Sequence, residues 1–113
     1  MKEYIGDQGE ISIFKIAELP NVKLAAVERV DNGSIVSHSE SGSHHLLERS
    51  DVLERVDVAS GMRVLYAIVE NPDRLYQDAG DAHGAYDLAP GIYEFRIARE
   101  YDPFLQQARI VAD

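Results

Sequence analysis

Apolar residues in this chain come in short runs, each cut off within a few positions by Gly, Pro, Asn or Asp. Runs this short, at turn-marked intervals, are the pattern of an all-β domain. The first predicted strand is Glu10 to Ile16, between Gly9 and the turn Leu19-Pro20-Asn21. Leu24 to Val30 follows and closes at Asp31-Asn32-Gly33, where Asn-Gly between two apolar runs signals a hairpin. Ser34 to Glu40 is the expected return strand, and His44 to Glu48 pairs back onto it. Asp51 to Val58 reads as a strand or a connecting turn. Met62 to Glu70 is the most apolar run, uncharged on both faces between Arg63 and Glu70, and is expected at the centre of a sheet.

Leu75 to Asp78 reads as a short edge strand and Ala79 to Gly84 as loop. At the Leu88-Ala89-Pro90-Gly91 turn, Pro followed by Gly gives the type II turn signature. Beyond it, Tyr93, Phe95 and Ile97 alternate with Glu94 and Arg96 through a strand from Ile92 to Tyr101. Arg96, Arg99, Glu94 and Glu100 read as charge pairs on a solvated face, and Tyr66 and Tyr93 as core. Asp102-Pro103 resembles an N-cap followed by Pro at the first helical position, and Phe104, Leu105, Ala108 and Val111 fall on one helical face. The predicted fold class is therefore all-β, mainly antiparallel: a β-sandwich or small barrel with one short C-terminal helix. Residues 1–113 form one β-rich domain, since two would each be too small to bury a core.

The 20 acidic residues against 11 basic give a formal net charge of -9. Such a surface repels nucleic-acid phosphates and anionic membranes, so neither is an expected partner. With no cysteine, disulfides, thiolate zinc sites and a cysteine nucleophile are excluded. The first residues lack the apolar core of a signal peptide and no run reaches membrane-spanning length, so the expected location is the cytoplasm. Phosphate-binding glycine loops, a nucleophile elbow and an HExxH motif are all missing from the sequence.

Chemical potential is concentrated in Ser37-His38-Ser39-Glu40-Ser41-Gly42-Ser43-His44-His45. If Ser41-Gly42 form a two-residue loop, His38 opposes His45. A three-residue loop pairs His38 with His44 instead. Opposed Cβ atoms lie about 4.5–5.5 Å apart, close enough for two imidazoles to share a metal ion. Neighbouring strand residues face opposite ways, so only one of His44 and His45 joins His38. Glu40 shares the face of the first register, and His83, in a later loop, is available to complete the set. Two imidazoles with a carboxylate suit a divalent transition metal: Zn, Fe, Mn or Ni. The alternative is that these histidines are solvated turn residues, and a histidine pair can also act as a pH-sensitive element.

Clustered histidines, a following glutamate and a Pro-Gly turn before a strand resemble the small cupins, in which two alternate histidines, a glutamate and a later histidine hold a metal. Only His38, His45 and Glu48 map onto that pattern. The adjacent His44-His45 and the lack of a histidine after Gly91 depart from it. The string His-Ser-Glu-Ser-Gly-Ser-His-His, with Pro-Gly-Ile-Tyr-Glu-Phe-Arg-Ile-Ala-Arg-Glu-Tyr-Asp further on, is similar to small uncharacterised proteins of bacteria and their phages, over most of residues 34–104. That resemblance implies a phage or mobile-element origin and carries no activity.

These readings favour a non-enzymatic binding or structural module over a catalyst. The runner-up is a cupin-like metalloprotein with its site on the 34–48 hairpin, acting as an oxygenase or isomerase. Self-association into a homo-oligomer is expected because small β domains leave open sheet edges, here assigned to Val52–Val58 and Leu75–Tyr76. A protein partner is compatible with the same surface.

Overall fold

The computed structural model describes residues 2–37, 44–58, 61–77 and 85–98. Among them are eleven strands: β1 (Lys2–Gln8), β2 (Ile11–Ile16), β3 (Leu24–Ala26), β4 (Arg29–Val30), β5 (Gly33–Ser37), β6 (His45–Leu47), β7 (Val52–Arg55), β8 (Met62–Val69), β9 (Asp73–Gln77), β10 (Tyr86–Leu88) and β11 (Gly91–Ala98). They form a six-stranded sheet in the order β1-β2-β11-β8-β7-β3 and a five-stranded sheet in the order β10-β9-β6-β5-β4. Every pairing is antiparallel.

The alternation read from the sequence sets the packing. Ile11 and Ile13, Leu65, Ala67 and Val69, and Tyr93, Phe95 and Ile97 line the inner face of the larger sheet. Val36, Leu47, Leu75 and Leu88 meet them from the smaller sheet in one continuous core. Phe95 and Leu65 are wholly buried, and each contributes about 1.5–3 kcal/mol through the removal of its apolar surface from water. Arg63 ties the layers together at one end. It makes a two-point ion pair with Glu54 (2.7 and 2.9 Å) and donates to the Val36 carbonyl of the other sheet at 3.4 Å.

The predicted fold class needs correction in its helical part. No helix occurs among the described residues, and the stretch 104–111 lies outside them. Each sheet is covered on its inner face by the other sheet, so this core closes with strands alone. No helix among the described residues is long and apolar enough to cross a membrane.

Other expectations shift with the topology. The run Leu24–Val30 is two strands in different sheets: the Val27 amide bonds the Val52 carbonyl of the larger sheet, while the Glu28 carbonyl accepts from Ile35 of the smaller. A continuous apolar run carries no mark of where it changes layer. β1 carries no strand signal of its own, being largely polar and holding a glycine, yet it pairs with β2 along its length, with a bulge between Tyr4 and Gly6. Neither predicted edge is one. β7 lies between β8 and β3, β9 lies between β10 and β6, and the outer strands are β1, β3, β4 and β10. Gly91 (φ 159°) is extended as the first residue of β11, not in the left-handed position that a type II turn requires.

The predicted Asn-Gly hairpin joins β4 to β5, with Asp31-Asn32 as its loop because Val30 faces Gly33. Gly33 has φ 148°, and a Cβ there would stand 2.5 Å from the Leu47 carbonyl oxygen. The chain later passes from β6 to β7 and so from one sheet to the other. Buried Asp73 fixes this passage. Its Oδ1 accepts the Arg49 (2.9 Å) and Arg74 (2.7 Å) amides, and its Oδ2 accepts the Ser50 amide at 2.6 Å. Burial pushes the Asp73 carboxyl upward, but hydrogen bonding from the Ser50 side chain and from these amides outweighs it and holds the group below its ordinary value.

Two outcomes follow. Gly33→Ala should destabilise the domain by about 1–3 kcal/mol through strain and collision with backbone, read as a fall in the thermal midpoint; an unchanged midpoint would show that the hairpin yields. Asp73→Asn keeps Oδ1 as acceptor but turns an amide donor toward the Ser50 N–H, and should cost about 1–3 kcal/mol at neutral pH. Because the folded state holds Asp73 below its unfolded value, its stabilisation is complete above the unfolded pKa of roughly 4. It is lost as pH falls through the folded value. Acid titration of unfolding should therefore show a shallower loss below roughly pH 4 in the variant than in the parent.

Candidate functional site

Of the predicted site residues, His44 and His45 fall within the described residues, while His38, Glu40 and His83 lie outside them. The register of the β5–β6 hairpin places Ser37 opposite His45, one residue from the pairing expected of a two-residue loop. It is the register of the three-residue-loop alternative, reached through a bulge between Ile35 and Ser37 that brings Ser37 rather than Val36 opposite His45. His44, half-buried, immediately precedes β6. Glu48, the loosely mapped cupin position, sits just after β6, where its amide donates to the Arg74 carbonyl at 3.0 Å.

His45 is 2% exposed and points between the sheets. Its Nδ1 lies 3.0 Å from Gln8 Oε1. The Gln8 amide nitrogen donates to the Leu75 carbonyl at 2.9 Å, which orients the amide and leaves its oxygen as acceptor. The Nδ1 of the neutral ring therefore carries the proton, and Nε2 is the basic nitrogen. Nε2 faces Glu10 Oε2 at 3.9 Å, while Glu10 Oε1 accepts the Ser37 hydroxyl at 2.7 Å. Gln8, Glu10, Ser37 and His45 thus form a polar cluster where β1, β2, β5 and β6 converge. The sequence singled out His45 but not Gln8 or Glu10, whose roles arise only when β1 packs beside β6. Among the described residues no group of three or more His, Cys, Asp or Glu side chains gathers in metal-binding geometry.

A second buried charge lies on the opposite face of the larger sheet. Glu94, expected on a solvated face, is 4% exposed. It stands between Phe14 of β2 and Tyr66 of β8, with Lys2 Nζ and Arg96 Nε each 2.8 Å from its Oε2. Burial raises its pKa, yet the two cations hold it below the ordinary glutamate range. Burial beside Glu94 pushes the Tyr66 hydroxyl up. Alternation alone placed Glu94 outward; its aromatic neighbours come from strands distant in sequence.

On this outer face, where β7 meets β8, a cavity of about 450 Å³ opens. Leu53 and Ile68 supply its apolar floor, and Arg49, Asp51 and Glu70 stand around it. Ile68 is 49% exposed, although Val64 to Ala67 and Val69 of the same strand are buried. Asp73, through the Arg49 and Ser50 amides, holds one wall in place.

No curated protein and no solved structure matches the chain. A family model described as a domain of unknown function, DUF8820, matches residues 7–98. Those bounds take in every described strand from β2 to β11 together with Gln8, Glu10, His45 and Asp73, and the chain belongs to the DUF8820 family.

Proposed function

We propose that this domain is a non-catalytic binding or structural module of bacterial or phage origin. The observation that carries the reading is the use made of His45, the one described histidine in the interior: its Nδ1 is tied to Gln8, and Gln8 to the backbone of β9. That chain of bonds fixes the ring as a link between sheets. Asp73 and Glu94, the buried carboxylates, are likewise engaged by backbone amides and by two cations. Buried polar groups satisfied in this way stabilise and specify a fold. Binding function then belongs to the surface.

A histidine-based metal site is the second reading, favoured by one feature: the basic Nε2 of His45 faces the Glu10 carboxylate. His38, His44, Glu40 and His83 are the further ligands this reading would draw on, for Zn, Fe, Mn or Ni. Metal analysis of protein purified without a histidine tag separates the two. The module reading expects far less than one metal per chain and a thermal midpoint indifferent to chelator. Stoichiometric metal, lost in His38→Ala, would replace it with the metalloprotein.

Self-association belongs to the same proposal, with its edge reassigned. β1 is the longest outer strand at seven residues and has no proline, so its outer edge offers backbone groups to a second copy. Tyr4 and Ile5 are exposed along it. Light scattering at micromolar concentration and moderate salt should report a homo-oligomer; a particle of 12.6 kDa would remove this part of the proposal.

A further inference from the structure

We propose that the cavity between β7 and β8 is a docking socket for a basic side chain, presented by an apolar-flanked segment of a partner protein. The inference rests on the module reading and names the partner's chemistry. The floor is apolar. Ile68 is wet on a strand that is otherwise buried along its middle, and antiparallel register sets Ile68 beside Ile92 and Ile92 beside Ile16. A row of isoleucines therefore leads from the cavity across β8, β11 and β2.

The rim is acidic. Asp51 and Glu70 are exposed, and neither forms an ion pair with another described residue. Arg49 also lines the cavity, so its rim carries two acidic residues against one basic. A lysine or arginine matches both features: its methylene stem lies on Leu53 and Ile68, and its head reaches the carboxylates in water. Apolar residues flanking that side chain would continue onto Ile92 and Ile16.

Two properties of the molecule favour this occupant. A chain of net charge -9 attracts cationic partners and repels acidic ones over its whole surface. The wall at residues 49–50 is held by Asp73 from the neighbouring sheet, so the socket is formed before a partner arrives and little ordering cost remains. The volume, about 450 Å³, accommodates one long side chain with room for water at its head.

The test is a two-dimensional amide NMR titration of the full chain with the capped peptide Ac-Leu-Lys-Leu-NH2 and its Gln and Glu counterparts at the central position. The expected result is shifts at residues 49–53 and 68–71 with the lysine peptide, weakened by added salt and absent with the glutamate peptide. Asp51→Asn with Glu70→Gln should weaken binding by about fivefold to tenfold, as two exposed ion pairs allow. Ile68→Thr, at a wet position that the core does not need, should weaken it as well. Equal binding of all three peptides, shifts centred elsewhere, binding that survives the double substitution, or no shift at millimolar peptide would each overturn the socket. The metal analysis decides the module reading separately, so a metal-free protein that ignores the lysine peptide rejects the socket alone.

Discussion

The pairing of β11 with β8 is the constraint on which the rest of this domain depends. Eight consecutive residue pairs, from Gly91 opposite Val69 to Ala98 opposite Met62, run without a break in register. Because side chains alternate along a strand, one register fixes the face of every residue in both strands. It sends Leu65, Ala67 and Val69 inward with Tyr93, Phe95 and Ile97. A slip of one residue would turn Glu94 and Arg96 into the core and put Phe95 in water. β2 adds to the other side of β11 in an equally regular ladder, and the second sheet packs on the face these strands define.

Polar groups concentrate where the chain passes between layers or where strands from both layers converge. Asp73 secures the step from β6 to β7 by taking up the Arg49 and Ser50 amides, along with that of Arg74 in its own strand. The His45–Gln8 pair closes the region between β1 and β6, where two strands from different sheets meet through side chains rather than backbone. Arg63 spans the layers from Glu54 to the Val36 carbonyl. A buried donor or acceptor left unmade costs more than a made bond contributes. These residues therefore act by specifying where the chain crosses, and their charge is a consequence of the backbone groups they serve.

The same economy bears on function. Buried histidine and carboxylate groups fastened to the scaffold have little freedom to change partners, whereas the cavity floored by Leu53 and Ile68 is held by the scaffold and left open. A rigid frame with an exposed, mixed apolar and acidic concavity is the arrangement that recognition uses, since ordering costs have been met by folding.

Local sequence determined the elements whose evidence is local. Alternation marked β11, the uninterrupted apolar run marked β8, and the Asn-Gly signal located the β4–β5 hairpin. The missing cysteines excluded disulfides and thiolate chemistry. Tertiary structure decided what depends on neighbours distant in the chain. It split Leu24–Val30 between sheets, moved the edges from β7 and β9 to β1, β3, β4 and β10, and made β1 a strand through pairing with β2. The β5–β6 ladder set Ser37 opposite His45, and packing against β1 gave its ring Gln8 and Glu10. Glu94 became buried because Phe14 and Tyr66 flank it from other strands. The physical reason is common to all of these. Periodicity fixes which way a side chain points relative to its own strand, while burial, pairing and hydrogen bonding are set by residues that only the folded chain brings near.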